Sequence, residues 1–293
     1  MGACMRTLVF VMCLLLSGSF GHAQEWENIS DSLLETVPNY KDSWLWNRKV
    51  GTLRVDPEDG DLYVVLNNSY GVWHSEDRGD SWKMLTRETR GRTYGSYSVN
   101  LAPATGRMVV FMVGRRSAMS MDRGETWTPF GIPQIDDKHD GWTWGGVDWT
   151  AEQPQVILAK EHHKTRLWLS RDAGQTWKQL EYYTRRPGVL DEDVLVAGQD
   201  GGIHRSTDAG QSWQKVCETA PTGATPIRYG DKHYWVCATG LLVTDDAGAT
   251  WKHTEGKLQD ALWGPYFGAD ASEMMVVTKD GFHITRDGGT RWT

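Results

Sequence analysis

Apolar residues in this chain come in short runs, alternate with polar ones, and are interrupted by Gly, Asp, Asn and Pro. From Val50 the sequence reads VGTLRVDPEDG, then DLYVVLNNS, then YGVWHSEDRGDS, then WKMLTRE. Val, Ile, Tyr and Trp at a period of two, punctuated by turn formers, predict short antiparallel strands. The same order returns as GSYSVNLAPATG, RMVVFMVG, RRSAMSMDRGET and WTPFG, and again as GPYFGADAS, EMMVVTKD and GFHITRDGGTR. Helical spacing is nearly absent, and only SDSLLETV near the start could form a turn or two of helix.

One eight-residue pattern, hydroxyl–x–Asp–x–Gly–x–x–Trp, punctuates these runs. It occurs at Ser75–Trp82, Ser120–Trp127, Ser170–Trp177, Ser206–Trp213, Thr244–Trp251 and Thr285–Trp292. The tryptophans are 45, 50, 36, 38 and 41 residues apart. A period of this size marks a repeat architecture, and four short strands per unit is the grammar of a propeller blade. The pattern falls between the third and fourth strands of each unit. Its aspartate (Asp77, Asp122, Asp172, Asp208, Asp246 or Asp287) can bind the N–H groups of its own turn, and its glycine can take positive φ. A structural role follows for all six. The pattern lacks the alternating acids and closing glutamate of a calcium loop.

The expected fold is therefore all-β: a six-bladed β-propeller of four-stranded antiparallel blades, occupying 24–293. The sequence stops one residue after Trp292, leaving the sixth unit short of an outer strand. Trp26, in EWENIS, opens a run as the box tryptophans do. We expect Trp26–Ser30 to add to blade six as an N-terminal strand that closes the ring and removes two sheet edges.

The boxes resemble the Asp box, or BNR repeat, of sialidases and related propellers, which include sortilin-type receptors, xyloglucanases and photosystem assembly factors. The resemblance implies the propeller. It does not choose a function, because these relatives include both enzymes and binders.

Composition narrows the setting. Arg6, the apolar Leu8–Leu16 and the small residues before Gln24 read as an export signal over 1–23, which predicts a secreted or periplasmic protein with no membrane insertion after cleavage. The net charge is −7, or −8 once Arg6 is removed, and no basic stripe appears, so nucleic acid is not an expected partner. Cys217 and Cys237 remain in the mature chain, where a disulfide and two separate thiols both stay open. No cofactor or metal is expected; the adjacent histidines of EHHK would point opposite ways on a strand. The protein is expected to be a monomer.

With the boxes as scaffold on one face, a ligand is expected on the other, where one blade crosses to the next. Arg48, Arg115, Trp142, Trp144, Arg228 and Trp263 are assigned there as ligand-binding candidates. Aromatics mixed with arginines suit stacking on sugars and pairing with carboxylates. The leading expectation is a binder of a carbohydrate or protein ligand. An assembly factor for an exported complex is one alternative; the other is a glycoside hydrolase. The resemblance to sialidases would make Tyr266 its nucleophile and Glu161 or Asp200 its acid, with Arg48 and Arg228 gripping a substrate carboxylate. WNRKV around Arg48 lacks the proline and aromatic neighbour of the sialidase motif at that place. Xyloglucanase-like chemistry would need two carboxylates across a groove.

Overall fold

Each box is a turn closed by its own aspartate. In blade four, Asp208 Oδ1 accepts the Ser212 N–H at 2.9 Å, the Gln211 N–H at 3.1 Å and the Ser206 hydroxyl at 2.8 Å. Its Oδ2 accepts the Ser212 hydroxyl at 2.6 Å. Ser206 Oγ in turn accepts the Gly210 N–H, and the Trp213 indole N–H donates to the Gly210 carbonyl. The aspartate bonds recur at Asp77, Asp122, Asp172 and Asp246. At Asp287 the guanidinium of Arg291 replaces the second hydroxyl. Hydrogen bonds from the seventh box residue hold Asp208 and Asp287 at a pKa of about 2. At Asp246 burial pulls upward, but the same bonds outweigh it, again giving about 2.

This computed structural model describes residues 29–36, 50–56, 59–66, 71–85, 96–102, 106–112, 117–131, 141–162 and 164–293. Six antiparallel blades follow in chain order: Val50–Met84, Ser96–Phe130, Trp142–Tyr183, Arg186–Cys217, Ile227–His253 and Ala261–Thr285. The first five are four-stranded sheets whose strands pair in sequence order. In the sixth, Thr293 pairs in both directions with Ile284 at 2.9 Å and takes the outer position. The expected six-bladed propeller is the observed architecture.

The blades join through apolar layers. One cluster lies between blades one and two, built on Tyr63, Val65, Met108 and Val110. Others join blades two and three through Phe111 and Trp142, and blades three and four through Leu158 and Leu195. Val196 and Trp235 join blades four and five, and Val236 and Phe267 join five and six. Tyr266 packs on the cluster of blade one and brings the ring back to its start. Each fully buried aliphatic or aromatic chain in these layers contributes about 1.5–3 kcal/mol.

The box glycine explains how neighbouring blades mesh. Its φ is positive in all six boxes, for example +87° at Gly174. A Cβ on Gly124, Gly174 or Gly210 would lie 2.5–2.6 Å from Leu85, Phe130 or Leu180 of the preceding blade. Each of these contacts is the third residue after its own box tryptophan. Gly79 of blade one meets Ile29 at 2.7 Å instead, and Ile29 is the third residue after Trp26. Ile29 thus fills, on blade one, the place that an outer strand of blade six would fill. Trp26–Asn28, in the expected closing strand, lie outside the described residues. Of the two described residues of that expected strand, Ile29 lies in no strand and Ser30 begins the helix α1, Ser30–Thr36. Leu33 of α1 is buried with Ile29 against blade one, and Ser32 bonds the Gly79 carbonyl and accepts the Trp82 indole N–H.

Candidate functional site

The register of the blades defines layers around the central channel. In each blade the box hydroxyl pairs with the second strand, and that residue pairs with the innermost strand. The innermost residues so aligned are Val55, Leu101, Val147, Val189, Arg228 and Phe267. One residue earlier the layer reads Arg54, Asn100, Gly146, Gly188, Ile227 and Tyr266. On the second strand, His233 stands where the other blades carry Leu62, Met108, Ile157, Leu195 and Met274. Blade five therefore breaks an apolar repeat at two paired positions, Arg228 and His233.

Both breaks face one cavity of about 50 Å³ in the channel, at the end nearer the boxes. Arg54, Asn100, Trp149, Tyr229 and Thr225 share its wall, and among the described residues no carboxylate does. Space comes from Gly146 and Gly188. A Cβ on Gly146 would sit 2.5 Å from the Val189 nitrogen, and one on Gly188 2.5 Å from the Pro226 ring, so these strands approach more closely than side chains allow.

The wall is electropositive. Arg54 is half-buried by area, yet its guanidinium is deep enough that burial lowers its pKa, with Tyr266 opposing the effect. It donates to the Leu53 carbonyl at 2.9 Å, and Arg228 donates to the Gly230 carbonyl at 3.0 Å. Arg107 lies over the Trp149 ring at 5.6 Å and bonds the carbonyls of Ala151 and Glu152. Burial and then the charge of Arg228 lower the pKa of Arg107. Burial, with Arg228 beside it, brings His233 down to about 4, so its imidazole is neutral at pH 7. Asn100 is committed to the Gly145 carbonyl and the Trp149 indole.

The crossing face carries a different chemistry. Among the described residues the strongly exposed large hydrophobic side chains are Tyr183, 55% exposed, and Trp263, 50% exposed. Each sits at the end of its strand away from the boxes. The strand Ala261–Phe267 is irregular on both sides of Trp263, and this turns the indole outward. Nearby, Lys279 and Asp260 form an ion pair at 3.0 Å.

The other predicted site residues separate. Arg48 and Arg115 lie outside the described residues. Trp142 is fully buried and packs against Trp168 and Trp177, so it is core and not a ligand platform. Trp144, two residues on, is half-buried beside Lys160. Arg228 is on the box side of the channel, not in the crossing loop where it was expected.

The three catalytic candidates each have their own surroundings. Burial pushes the Tyr266 hydroxyl pKa up against the pull of Arg54, the reverse of nucleophile activation. Burial would raise Glu161, but Arg166 and Lys164 at 2.8 Å and Trp168 at 3.2 Å outweigh it and hold the carboxylate ionised. The Asp200 side chain is fully in solvent, 3.6 Å from Arg186.

Cys217 and Cys237 are free thiols. Asp61, His74 and Glu76 are mutually close, but Asp61 holds Nε2 of His74 at 2.6 Å while Glu76 faces Nδ1 at 3.8 Å. Sequence reading missed Arg54 and His233. Aligning the six units backward from their box hydroxyls would have exposed His233, with Arg228, as a departure from the repeat.

The Sortilin-Vps10 family model (sortilin, neurotensin receptor 3) matches residues 70–200. A xyloglucanase of Paenibacillus sp is 25% identical over 85% of this chain and 26% of its own length, so the chain spans about a quarter of that relative. Among solved structures, the GH74 enzyme of Niastella koreensis superposes with a TM-score of 0.55 at 15% identity, covering 83% of this chain and 44% of the enzyme. YCF48 from Cyanidioschyzon merolae gives a TM-score of 0.49 at 13% identity, over 85% and 86% of the two chains. What the family model and the GH74 enzyme share with this chain is the β-propeller.

Proposed function

We propose that this chain is an exported propeller of the Asp-box type that binds carbohydrate on the face opposite its boxes. The observation that carries the reading is Trp263, half exposed at the crossing end of an innermost strand. An indole kept in water at the channel rim, beside the Lys279–Asp260 pair, offers a stacking surface for a sugar ring with polar groups at its edge. The names of the xyloglucanase and GH74 relatives agree with a carbohydrate ligand. No nucleic-acid partner is invoked, and the protein acts as a monomer.

The test is a glycan array probed with the protein and with Trp263→Ala. Binding to a defined set of glycans, reduced about tenfold or more by the substitution, supports the reading. Unchanged binding, or no binding across a broad array, refutes it. Hydrolysis is the second reading and rests on those relatives. It predicts release of reducing ends from xyloglucan or of the reporter from a fluorogenic sialoside. The clamped Glu161 and the raised Tyr266 argue for a binder in its place.

A further inference from the structure

We propose that the box-side cavity of the channel is a second site, separate from the aromatic face, which takes a small oxyanion of the carboxylate or phosphate class between Arg54 and Arg228. Three observations converge on it. First, among the described residues the wall carries two guanidinium groups and no acid, in a chain whose net charge is −7. Second, Arg54 donates to the Leu53 carbonyl and Arg228 to the Gly230 carbonyl, and among the described residues neither is paired with a carboxylate. Burial of the Arg54 guanidinium carries a desolvation cost that an entering anion would relieve, with Arg228 as a second donor at the same wall. Third, the repeat is broken here: Arg228 replaces the apolar residue of five other blades, and neutral His233 replaces an apolar partner.

Size sets the ligand. One water needs roughly 10–15 Å³ by the same measure, so about 50 Å³ holds a few waters or one compact anionic group. A whole sugar ring belongs outside, with only an acidic substituent reaching in. Guanidinium forks match both oxyanion geometries, and Thr225 and His233 supply further polar atoms at the wall. This is not the arrangement implied by resemblance to sialidases, which would place its arginines on the crossing face.

Calorimetric titration of the full chain at constant ionic strength, with inorganic phosphate, acetate, glucuronate and glucose, tests the assignment. Saturable binding of at least one anion is expected, with no binding of glucose at this site. Arg228→Gln and Arg54→Met should each weaken anion binding tenfold or more. Phosphate and acetate binding with glucuronate excluded marks a site for free ions. Glucuronate binding as tightly as acetate marks a site for the acidic end of a larger ligand. Either outcome supports the proposal. Arg54→Met also separates a ligand role from a structural one, since losing an unpaired cation should leave the melting temperature unchanged or raised. Absence of saturable anion binding overturns the proposal. So does binding indifferent to both substitutions, or an Arg54→Met protein that melts well below the parent.

Trp263→Ala must leave anion binding intact. If it abolishes both activities, the two sites are one and this inference fails while the carbohydrate reading stands.

Discussion

If the box glycine is needed for meshing blades as well as for its backbone angle, then Gly174→Ala must cost more than Gly288→Ala, a control at the residue before the blade-six box glycine Gly289, where φ is positive but no neighbour is met. Both residues have positive φ, +87° and +71°. A Cβ at Gly288 meets nothing within 4 Å, whereas at Gly174 it falls 2.5 Å from Cβ of Phe130 and 2.7 Å from its Cγ. The left-handed backbone alone costs an alanine about 1–2 kcal/mol, which is the whole expectation for Gly288→Ala. At Gly174 the contact lies near the root of the Phe130 side chain, so rotation cannot relieve it. Overpacking there adds about 1–3 kcal/mol. For a chain of this length, roughly 2–3 °C of melting temperature accompanies each kcal/mol. Gly288→Ala should therefore lower the melting temperature by roughly 2–6 °C and Gly174→Ala by roughly 4–15 °C, measured by calorimetry. Pairing Gly174→Ala with Phe130→Leu should recover part of the added loss, a coupling that independent sites would not show. Equal losses from the two glycines, or strict additivity in the double variant, would refute the inter-blade account.

Ile29→Ala should cost about 2–4 kcal/mol, because a buried residue at the ring junction is truncated. The melting temperature and the rate of protease cleavage near α1 check it, and no change in either would exclude Ile29 as part of the closure. Acid should unfold the protein in two stages. His233 titrates near 4 when folded against 6.5 in its ordinary range, so the unfolded chain takes the proton first and stability declines as pH falls from about 6.5 to 4. The box aspartates at about 2, against 3.8, stabilise fully above about pH 4 and lose that contribution as pH falls through 2. Denaturant midpoints against pH check both stages, and His233→Leu should remove only the first.

Much of the fold was legible because it is written six times. The box carries its own hydrogen-bond partners within eight residues, so Asp208 or Asp246 can be read without knowing what lies across space. The blade count followed from it, whereas the closing strand expected from the likeness of Trp26 to the box tryptophans falls mostly outside the described residues. The site was less legible for the opposite reason. Trp142 and Trp263 stand on equally aromatic strands, and only packing decides that one is enclosed by Trp168 and Trp177 while the other faces water. Glu161 looked like an acid until Lys164, Arg166 and Trp168 proved to be folded back onto it, a contact set by strand pairing and not by composition. Arg228 was placed on the wrong face because its position was judged from the loop before it and not from its register with the box hydroxyl of Thr244.

That register suggests how repeat scaffolds disclose their sites. Positions that repeat around the ring answer to the ring: a turn must close, a glycine must admit its neighbour, an aliphatic chain must fill a layer. A residue that departs from the repeat is released from none of those demands, yet it meets them less well. Placing an arginine at 228 and a histidine at 233 gives up apolar contacts worth about 1.5–3 kcal/mol each where burial is complete, and it forces the imidazole to remain neutral beside a cation. The two departures are paired across adjacent strands and open into the same cavity as Arg54. Independent drift in blade five would have no reason to produce that coincidence, whereas a ligand bearing negative charge in the channel would account for both residues at once.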